Sequence, residues 1–479
     1  MSVSEEGLLA RVKALEEELE RLKAQLRVKR DGAAEERTAV SPDPVPAEVK
    51  SQENGGVRRR GKKAERPFDF SAHPRRHVAL RLAYLGWNYQ GFAVQENTDN
   101  TVEARLFEAL LKTRLIQDRQ SSNYHRCGRT DKGVSAYSQV ISIDLRSCQY
   151  SGLGVTVPDG VEPKSSAPTA ELPYVKILNR VLPPDIRALC WAPAETGFSA
   201  RFDCQYRTYR YYFPCGDLDV ERMATAARRY EGTHDYRNLC KMDVGNGVLQ
   251  FQRTIQSASV RPAQPCDPSA VNPLQLYVFE VKGLAFLYHQ VRCMMAVLLL
   301  IGQKLEAPEI IDELFDVENN PRKPQYSMAV DYPLVLHECH FEGLNWNKEP
   351  EEESHVLNSL HQQWTQAAVK AQVLHSMMQG LWNTATDNVP PSVGCWLMEG
   401  SRQRNYRPLL ERPRCESLES RIQHFVKRGR LEREEGENGE ETAIFRGKRS
   451  KHSHHVTSTE QQQGKDELSN KDVPVQPTL

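Results

Sequence analysis

The sequence predicts an α/β chain, and two observations carry that prediction. In the first half the apolar pattern passes from period two to helical spacing and back. Val78, Leu80, Leu82 and Tyr84 alternate as a half-buried strand does, Leu106, Ala109, Leu110 and Thr113 share one helical face, and residues 140–145 read as a strand again. In the second half, strand-like residues 274–282 run into an apolar stretch over 294–301 that is long enough for a buried helix and too short for a bilayer.

Taken in order, residues 1–30 carry Leu8, Val12, Leu15, Leu19, Leu22 and Leu26 at alternating steps of four and three, a heptad seam of about three repeats. Such a seam serves dimerisation or partner docking, whereas alone so short a helix frays. Residues 31–67 lose that periodicity, fill with Pro, Gly, Glu and Ala, and read as a disordered linker with a basic cluster, Arg58-Arg59-Arg60-Gly61-Lys62-Lys63. The cluster suits nuclear import, a phosphate-contacting arm, or a solvated charge run.

The folded core is expected over residues 68–345, with Thr101 capping its first helix and a Ser-, Gly- and Pro-rich surface insertion at 147–172. A helix over 219–230 should stop at Gly232. Residues 346–432 read as a helical and basic extension, with Leu357, Leu360, Trp364, Ala367, Ala371, Leu374 and Met378 at helical spacing and a basic stretch over 402–430. Residues 433–479 are polar and read as a disordered tail.

Basic and acidic residues balance at 63 each, so no global field announces a polyanionic partner and any nucleic-acid site must be a local patch. The eleven cysteines include no C-x-x-C pair, and neither a signal peptide nor a membrane span is found, which predicts a reduced, soluble, intracellular protein. His337, Cys339 and His340 form the tightest metal-like cluster. Their spacing suits one strand better than a tetrahedral site, and no metal or other cofactor is predicted.

The chemistry concentrates at Arg126-Cys127-Gly128-Arg129-Thr130-Asp131-Lys132-Gly133-Val134-Ser135-Ala136. A carboxylate sits there on a short loop between two arginines and a lysine, with Gly128 and Gly133 giving backbone freedom on either side. That cationic setting should keep Asp131 ionised. Residue types alone leave it as nucleophile or base, as metal ligand, or as half of a structural ion pair.

A second block, Tyr206-Arg207-Thr208-Tyr209-Arg210-Tyr211-Tyr212-Phe213, interleaves tyrosines with arginines. Alternation puts Tyr209 and Tyr211 on one strand face and Thr208, Arg210 and Tyr212 on the other. Rings beside guanidinium groups can stack on an unpaired base and hold its phosphate, although tyrosines that merely pack have the same composition. A third block, Phe286-Leu287-Tyr288-His289-Gln290-Val291-Arg292, opens the apolar helix, so the charge of Arg292 must be exposed at its tip or paired. His234, beside Asp235 at a turn, reads more simply as a local hydrogen-bond partner than as a catalyst.

The pattern G-R-T-D-x-G-V-x-A over residues 128–136 resembles the catalytic loop of the TruA-type pseudouridine synthases. The Y-R-Y of residues 209–211 and the F-L-x-H-x-V-R of 286–292 resemble two further motifs of that family and stand in the same order, within a resemblance covering roughly residues 76–340. The form of the loop, with Gly128 before the arginine, and the added terminal regions look most like the eukaryotic branch that modifies tRNA uridines 38 and 39.

The resemblance implies two ferredoxin-like halves, which form a mixed, mainly antiparallel sheet around a central cleft with helices outside. It implies isomerisation of a flipped-out uridine to pseudouridine: the N1 to C1′ bond breaks and the base rejoins through C5, with no metal or small-molecule cofactor. It assigns Asp131 as the catalytic carboxylate, either nucleophile at the sugar or driver of glycal formation, and Arg292 as its ion-pair partner. Tyr209 would stack on the base and could take a released proton. Arg129, Lys132, Tyr209 and His289 are the expected substrate contacts, with the 402–430 stretch adding backbone contacts.

The expected partners are tRNA and a second copy of the chain, a homodimer that the heptad could reinforce, and the basic cluster suggests nucleus as well as cytoplasm. The competing readings are a non-catalytic tRNA-binding or RNA chaperone protein on a synthase scaffold, and a coiled-coil scaffold with incidental RNA motifs.

Overall fold

A computed structural model describes residues 68–162, 170–265, 274–382, 396–400, 405–435 and 441–445. The heptad of residues 1–30, the linker with its basic cluster at 58–63, and the last part of the tail lie outside the described residues.

The first half begins with β1 (Arg75–Tyr84), whose Val78, Leu80 and Leu82 are fully buried as their alternation requires. Thr101 caps α1 (Val102–Lys112), its hydroxyl accepting the Ala104 N–H at 3.2 Å, and Leu106 and Leu110 face the core. Two-residue β2 (His125–Arg126), β3 (Ser135–Arg146), short β4 (Val155–Thr156), α2 (Tyr174–Asn179) and β5 (Ile186–Pro193) follow. β5 pairs with β1, β1 with β3, and β3 with β2.

The second half repeats this plan at greater length. β6 (Tyr206–Pro214), α3 (Val220–Ala227), the edge strand β7 (Gly232–Asp235), β8 (Gln252–Pro262), β9 (Leu276–Gly283), α4 (Gln290–Gly302), α5 (Ile310–Phe315) and β10 (Leu334–His340) give the strand order β10-β6-β9-β8-β7. In each half the last strand lies beside the first and the second strand outside the third, the ferredoxin-like arrangement. β10 joins the halves by running parallel to β3, with Val335 opposite Ser135 and Leu336 opposite Ala136, while the other pairs are antiparallel. The sheet is therefore mixed and mainly antiparallel, as expected.

That joint sets a row across the sheet: Ala136, Leu336, Tyr209 and Val281 stand opposite one another in successive strands. One hydrophobic core lies under each half, and Tyr209 packs against both. Every residue of α4 is buried, so the helix reads apolar all round rather than amphipathic. Leu397, Leu409 and Leu431, all beyond the synthase-like region, are buried in the same core as α4.

Other parts of the extension behave differently. α6 (Pro350–Trp382) carries the expected spacing, yet Leu357, Trp364 and Leu374 on it are exposed. α7 (Leu418–Lys427) is followed by β11 (Leu431–Glu435) and β12 (Glu441–Phe445), which pair antiparallel with Leu431 opposite Phe445. This two-stranded ladder satisfies backbone groups at the start of the polar stretch that follows residue 430. No helix among the described residues is long and apolar enough to cross a membrane.

Candidate active site

The Asp131 loop is the connection from β2 to β3, and it is fixed mostly through its backbone. Cys127 N–H donates to Val140 O at 2.9 Å, Gln139 Nε2 to Gly128 O at 3.0 Å, Phe92 N–H to Thr130 O at 3.1 Å, and Gly133 N–H to Tyr89 O at 3.2 Å. The Thr130 hydroxyl meets Tyr84 Oη at 2.7 Å in the interior. Gly133 is required twice: its φ is +76°, and a Cβ there would lie 2.6 Å from the Asp331 carboxyl carbon. Gly128 needs no such freedom, since its φ is not left-handed and nothing lies within 4 Å of where its Cβ would be.

The expectation that sequence neighbours keep Asp131 ionised is corrected by where their charges go. Arg126 is paired with the buried Glu103 at 2.6 Å, and Arg129 and Lys132 are exposed. Burial dominates instead and pushes the Asp131 carboxyl up to about 6; Arg292 opposes that rise, Asp331 adds to it, and Lys241 opposes it. The carboxylate remains mainly charged at pH 7, but it titrates close to neutrality.

The expected ion pair from Arg292 to Asp131 is also corrected. Arg292 is buried, its Nε donates to Ala329 O at 2.9 Å, and its Nη2 binds the Glu399 carboxylate. No Arg292 contact with Asp131 falls within ion-pair distance, although its field still reaches the carboxylate. Glu399 is brought there by a backbone clasp, in which Glu399 N–H donates to Met328 O and Val330 N–H to Leu397 O, both at 2.8 Å. A buried guanidinium needs a close counter-charge, and residue 399 supplies it from the extension.

Tyr209 lies on the same face of β6 as the fully buried Tyr211, as alternation predicted, while Arg210 on the other face binds Glu280 at 2.5 Å. Its ring meets Phe286 edge to face at 5.0 Å between centroids. Burial first, then nearby Cys339, raise the Tyr209 phenol well above its usual range; Arg207 opposes them, and Asp131 adds to the rise. The phenol is therefore neutral at working pH.

A family model described as tRNA pseudouridine synthase matches residues 226–342. The human tRNA pseudouridine(38/39) synthase is 52% identical over 463 residues, covering 92% of each chain. The chain belongs to the tRNA pseudouridine synthase family. The Saccharomyces cerevisiae tRNA pseudouridine(38/39) synthase is 44% identical over 298 residues, covering 61% of this chain and 63% of its own. The tRNA pseudouridine synthase A of Methanothrix thermoacetophila is 27% identical over 309 residues, covering 64% of this chain and 99% of its own.

Within this synthase, His289 lies beside the Asp131 carboxylate. Its Nε2 is 3.7 Å from Asp131 Oδ2, its Nδ1 is buried with no hydrogen-bond partner, and its backbone is left-handed at φ 61°. Burial, then Arg292, Lys241 and Lys323, lower its pKa to about 3, so the imidazole is neutral. Arg129 stands near Arg126 and Arg201, making the loop's surroundings locally cationic in a chain with no net charge. Exposed rings border the same region: Phe202 beside Arg201, Tyr288 beside Lys241, and Trp87, whose Nε1 donates to Tyr332 O at 3.1 Å.

The basic stretch of 402–430 is partly committed to the fold. Arg414 donates to Leu410 O at 2.9 Å, and the Arg412 guanidinium lies 5.0 Å over the Tyr406 ring. His234 is held by Glu231 O at 2.8 Å and stacked 4.2 Å from Phe315, which matches its local reading. His337 and His340 do not join Cys339: they stack on Tyr137 and Tyr206, whereas the sulfur of Cys339 converges with those of Cys127 and Cys204. Asp331, Lys241 and Glu399 were not singled out from sequence. Asp331 and Glu399 lie outside the three motif blocks, so no local signal marked either.

Proposed function

We propose that this protein isomerises uridine to pseudouridine at positions 38 and 39 of the tRNA anticodon stem-loop. The observation that carries the reading is the near full-length match to relatives named for those two positions. The site agrees with the chemistry. Isomerisation has no net redox change, and it needs a carboxylate at the sugar, a surface for the freed base, and exclusion of water from the broken bond.

Asp131 is the group that acts at the sugar. Its carboxylate is ionised at pH 7 and is a stronger base than an exposed aspartate, because burial has raised its pKa. It attacks C1′ or removes the proton that leads to a glycal. The N1 to C1′ bond breaks, the uracil turns, a C5 to C1′ bond forms, and the C5 proton is replaced by one on N1. Tyr209, a neutral phenol braced by Phe286, is suited to stacking on the base and to donating a hydrogen bond; its raised pKa argues against the proton-accepting role. Arg292, fixed by Glu399 and Ala329 O, supplies a positive field that limits the rise in the Asp131 pKa.

The flipped nucleotide leaves its stack at a cost of a few kcal/mol. Exposed Arg129, Lys132 and Arg201 would offset it through phosphate contacts, and the rings of Phe202 and Tyr288 through stacking. We further propose a homodimer, strengthened by the heptad of residues 1–30, and import to the nucleus through residues 58–63 alongside a cytoplasmic pool. Light scattering and fluorescence imaging of chains lacking each segment test these two points.

The deciding experiment is a position-resolved pseudouridine assay on unmodified tRNAs with the wild type and Asp131→Ala. Product at positions 38 and 39 that vanishes in the variant, with tRNA affinity kept within a few-fold, is the expected result. Tight binding by both proteins without product would replace the enzyme by a tRNA-binding protein.

A further inference from the structure

Three cysteines that belong to different parts of the chain meet beside the catalytic loop. Cys127 closes β2, Cys204 lies just ahead of β6, and Cys339 is in β10, yet their sulfurs all lie within 4.8 Å of one another. Cys127 and Cys339 are buried and Cys204 is half-buried, so the group has a closed side and an approach from Cys204.

Buried thiols often act only as small hydrophobes. Two features set this trio apart. All three sulfurs converge on one point, which packing alone does not require. A guanidinium is also fixed beside them: Arg207 stands opposite Cys339 across the β6–β10 ladder, and its Nη2 donates to Cys127 O at 3.0 Å and to Arg201 O at 3.3 Å.

We infer that Cys127, Cys204 and Cys339 form a three-thiolate site for a zinc ion. The geometry is close to what the ion needs, since zinc–sulfur bonds of ~2.3 Å in a tetrahedron place sulfurs about 3.8 Å apart, a contraction of roughly 1 Å at most. The charges also close. Three thiolates with a divalent ion carry one net negative charge, which the Arg207 guanidinium neutralises without entering the coordination sphere. The fourth position faces the Cys204 side and takes water. Binding releases three thiol protons to solvent, and no electron is transferred.

The site would act as a clasp. It would tie the Asp131 loop, four residues after Cys127, to the approach of β6, five residues before Tyr209, and to β10, the strand that joins the two halves. Its residues position the catalytic groups without touching substrate. The proposal does not depend on the reaction assigned above, because occupancy is read directly.

The experiment is metal analysis by mass spectrometry on the full-length chain, purified in reductant without a metal-affinity step, for the wild type, Cys204→Ser, Cys339→Ser and Cys415→Ser. About one zinc per chain is expected in the wild type and in Cys415→Ser, falling at least fivefold in the other two. Cobalt replacement should give a thiolate-to-metal absorption band that Cys204→Ser loses. Should Cys339→Ser fail to fold, the half-buried Cys204→Ser and zinc release on mercurial titration of the folded wild type decide the question. A wild type with neither zinc nor copper, or a Cys204→Ser protein that keeps its zinc, overturns the site. Copper in place of zinc overturns the choice of ion. A metal-free wild type whose trio forms a disulfide under peroxide assigns the cluster to redox chemistry instead.

Discussion

The two halves of the sheet share one strand order but treat their second strand differently. In the second half the 11-residue β8 pairs with β9 over residues 255–262 and with β7 over residues 252–255. In the first half the equivalent β2 has 2 residues, pairing only with Ile141 and Ser142, so the start of β3 is left open. β10 of the other half takes that place at Ser135 and Ala136. The shortened strand thus creates both the joint between the halves and the loop that presents Asp131 to it. A regular hairpin there would have sealed β3 and left no cleft.

The strongest test of this contrast is to neutralise the charge at the joint. Asp131→Asn should lower product formation at least ~10³-fold, as expected for a group that acts only in the transition state. The same change should stabilise the fold. The folded-state pKa of about 6 lies above the ordinary 3.8, so the protein binds this proton more readily than the unfolded chain does, and wild-type stability is lost as pH rises between those values. Denaturant titration should therefore find Asp131→Asn about 1–3 kcal/mol more stable than wild type at pH 7, the gap closing near pH 4. An Asn variant of lower stability at pH 7 would contradict the buried-charge account.

Next is the counter-charge. Arg292→Leu should cost about 2–4 kcal/mol in the same titration, with Glu399 relaxing into water because it is partly exposed. Loss of the Arg292 field should also move the acid limb of the kcat profile to higher pH, away from the value near 6 expected of wild type. An unmoved limb in a folded variant would detach Arg292 from Asp131.

Gly133→Ala tests the loop itself. A left-handed backbone and the nearby Asp331 carboxylate should together cost about 1–3 kcal/mol, whereas Gly128→Ala should change stability by less than ~0.5 kcal/mol. Glu399→Gln is subtler: removing the negative charge that holds Arg292 strengthens the positive field at Asp131, so the acid limb should move to lower pH. The smallest effect belongs to the second half. Replacing residues 264–274 by a short Gly/Ser connection should alter kcat by less than about twofold, because loop length there enters only through closure entropy.

Local sequence was enough for the strands and helices that neighbouring residues specify. Period two gave β1 and β6, Thr101 gave a helix start that its hydroxyl now caps, and the unbroken apolar run gave a helix buried on all sides. Asp131, Tyr209 and Arg292 stood out within their own short blocks, and the family resemblance joined those blocks. Composition and periodicity could not have done so, since the join is the register that sets Ala136, Leu336 and Tyr209 in one row.

What only the tertiary structure decided was electrostatic and long-range. The charges beside Asp131 in sequence turn to Glu103 or to solvent, while Arg292 and Lys241 reach it through the fold. Glu399 finds Arg292 across 107 positions with no local signal, and three scattered cysteines meet at one point. The physical reason is range. Periodicity and capping act within a turn or two of chain, but a pKa or a ligand cluster depends on whatever the fold brings within several ångströms.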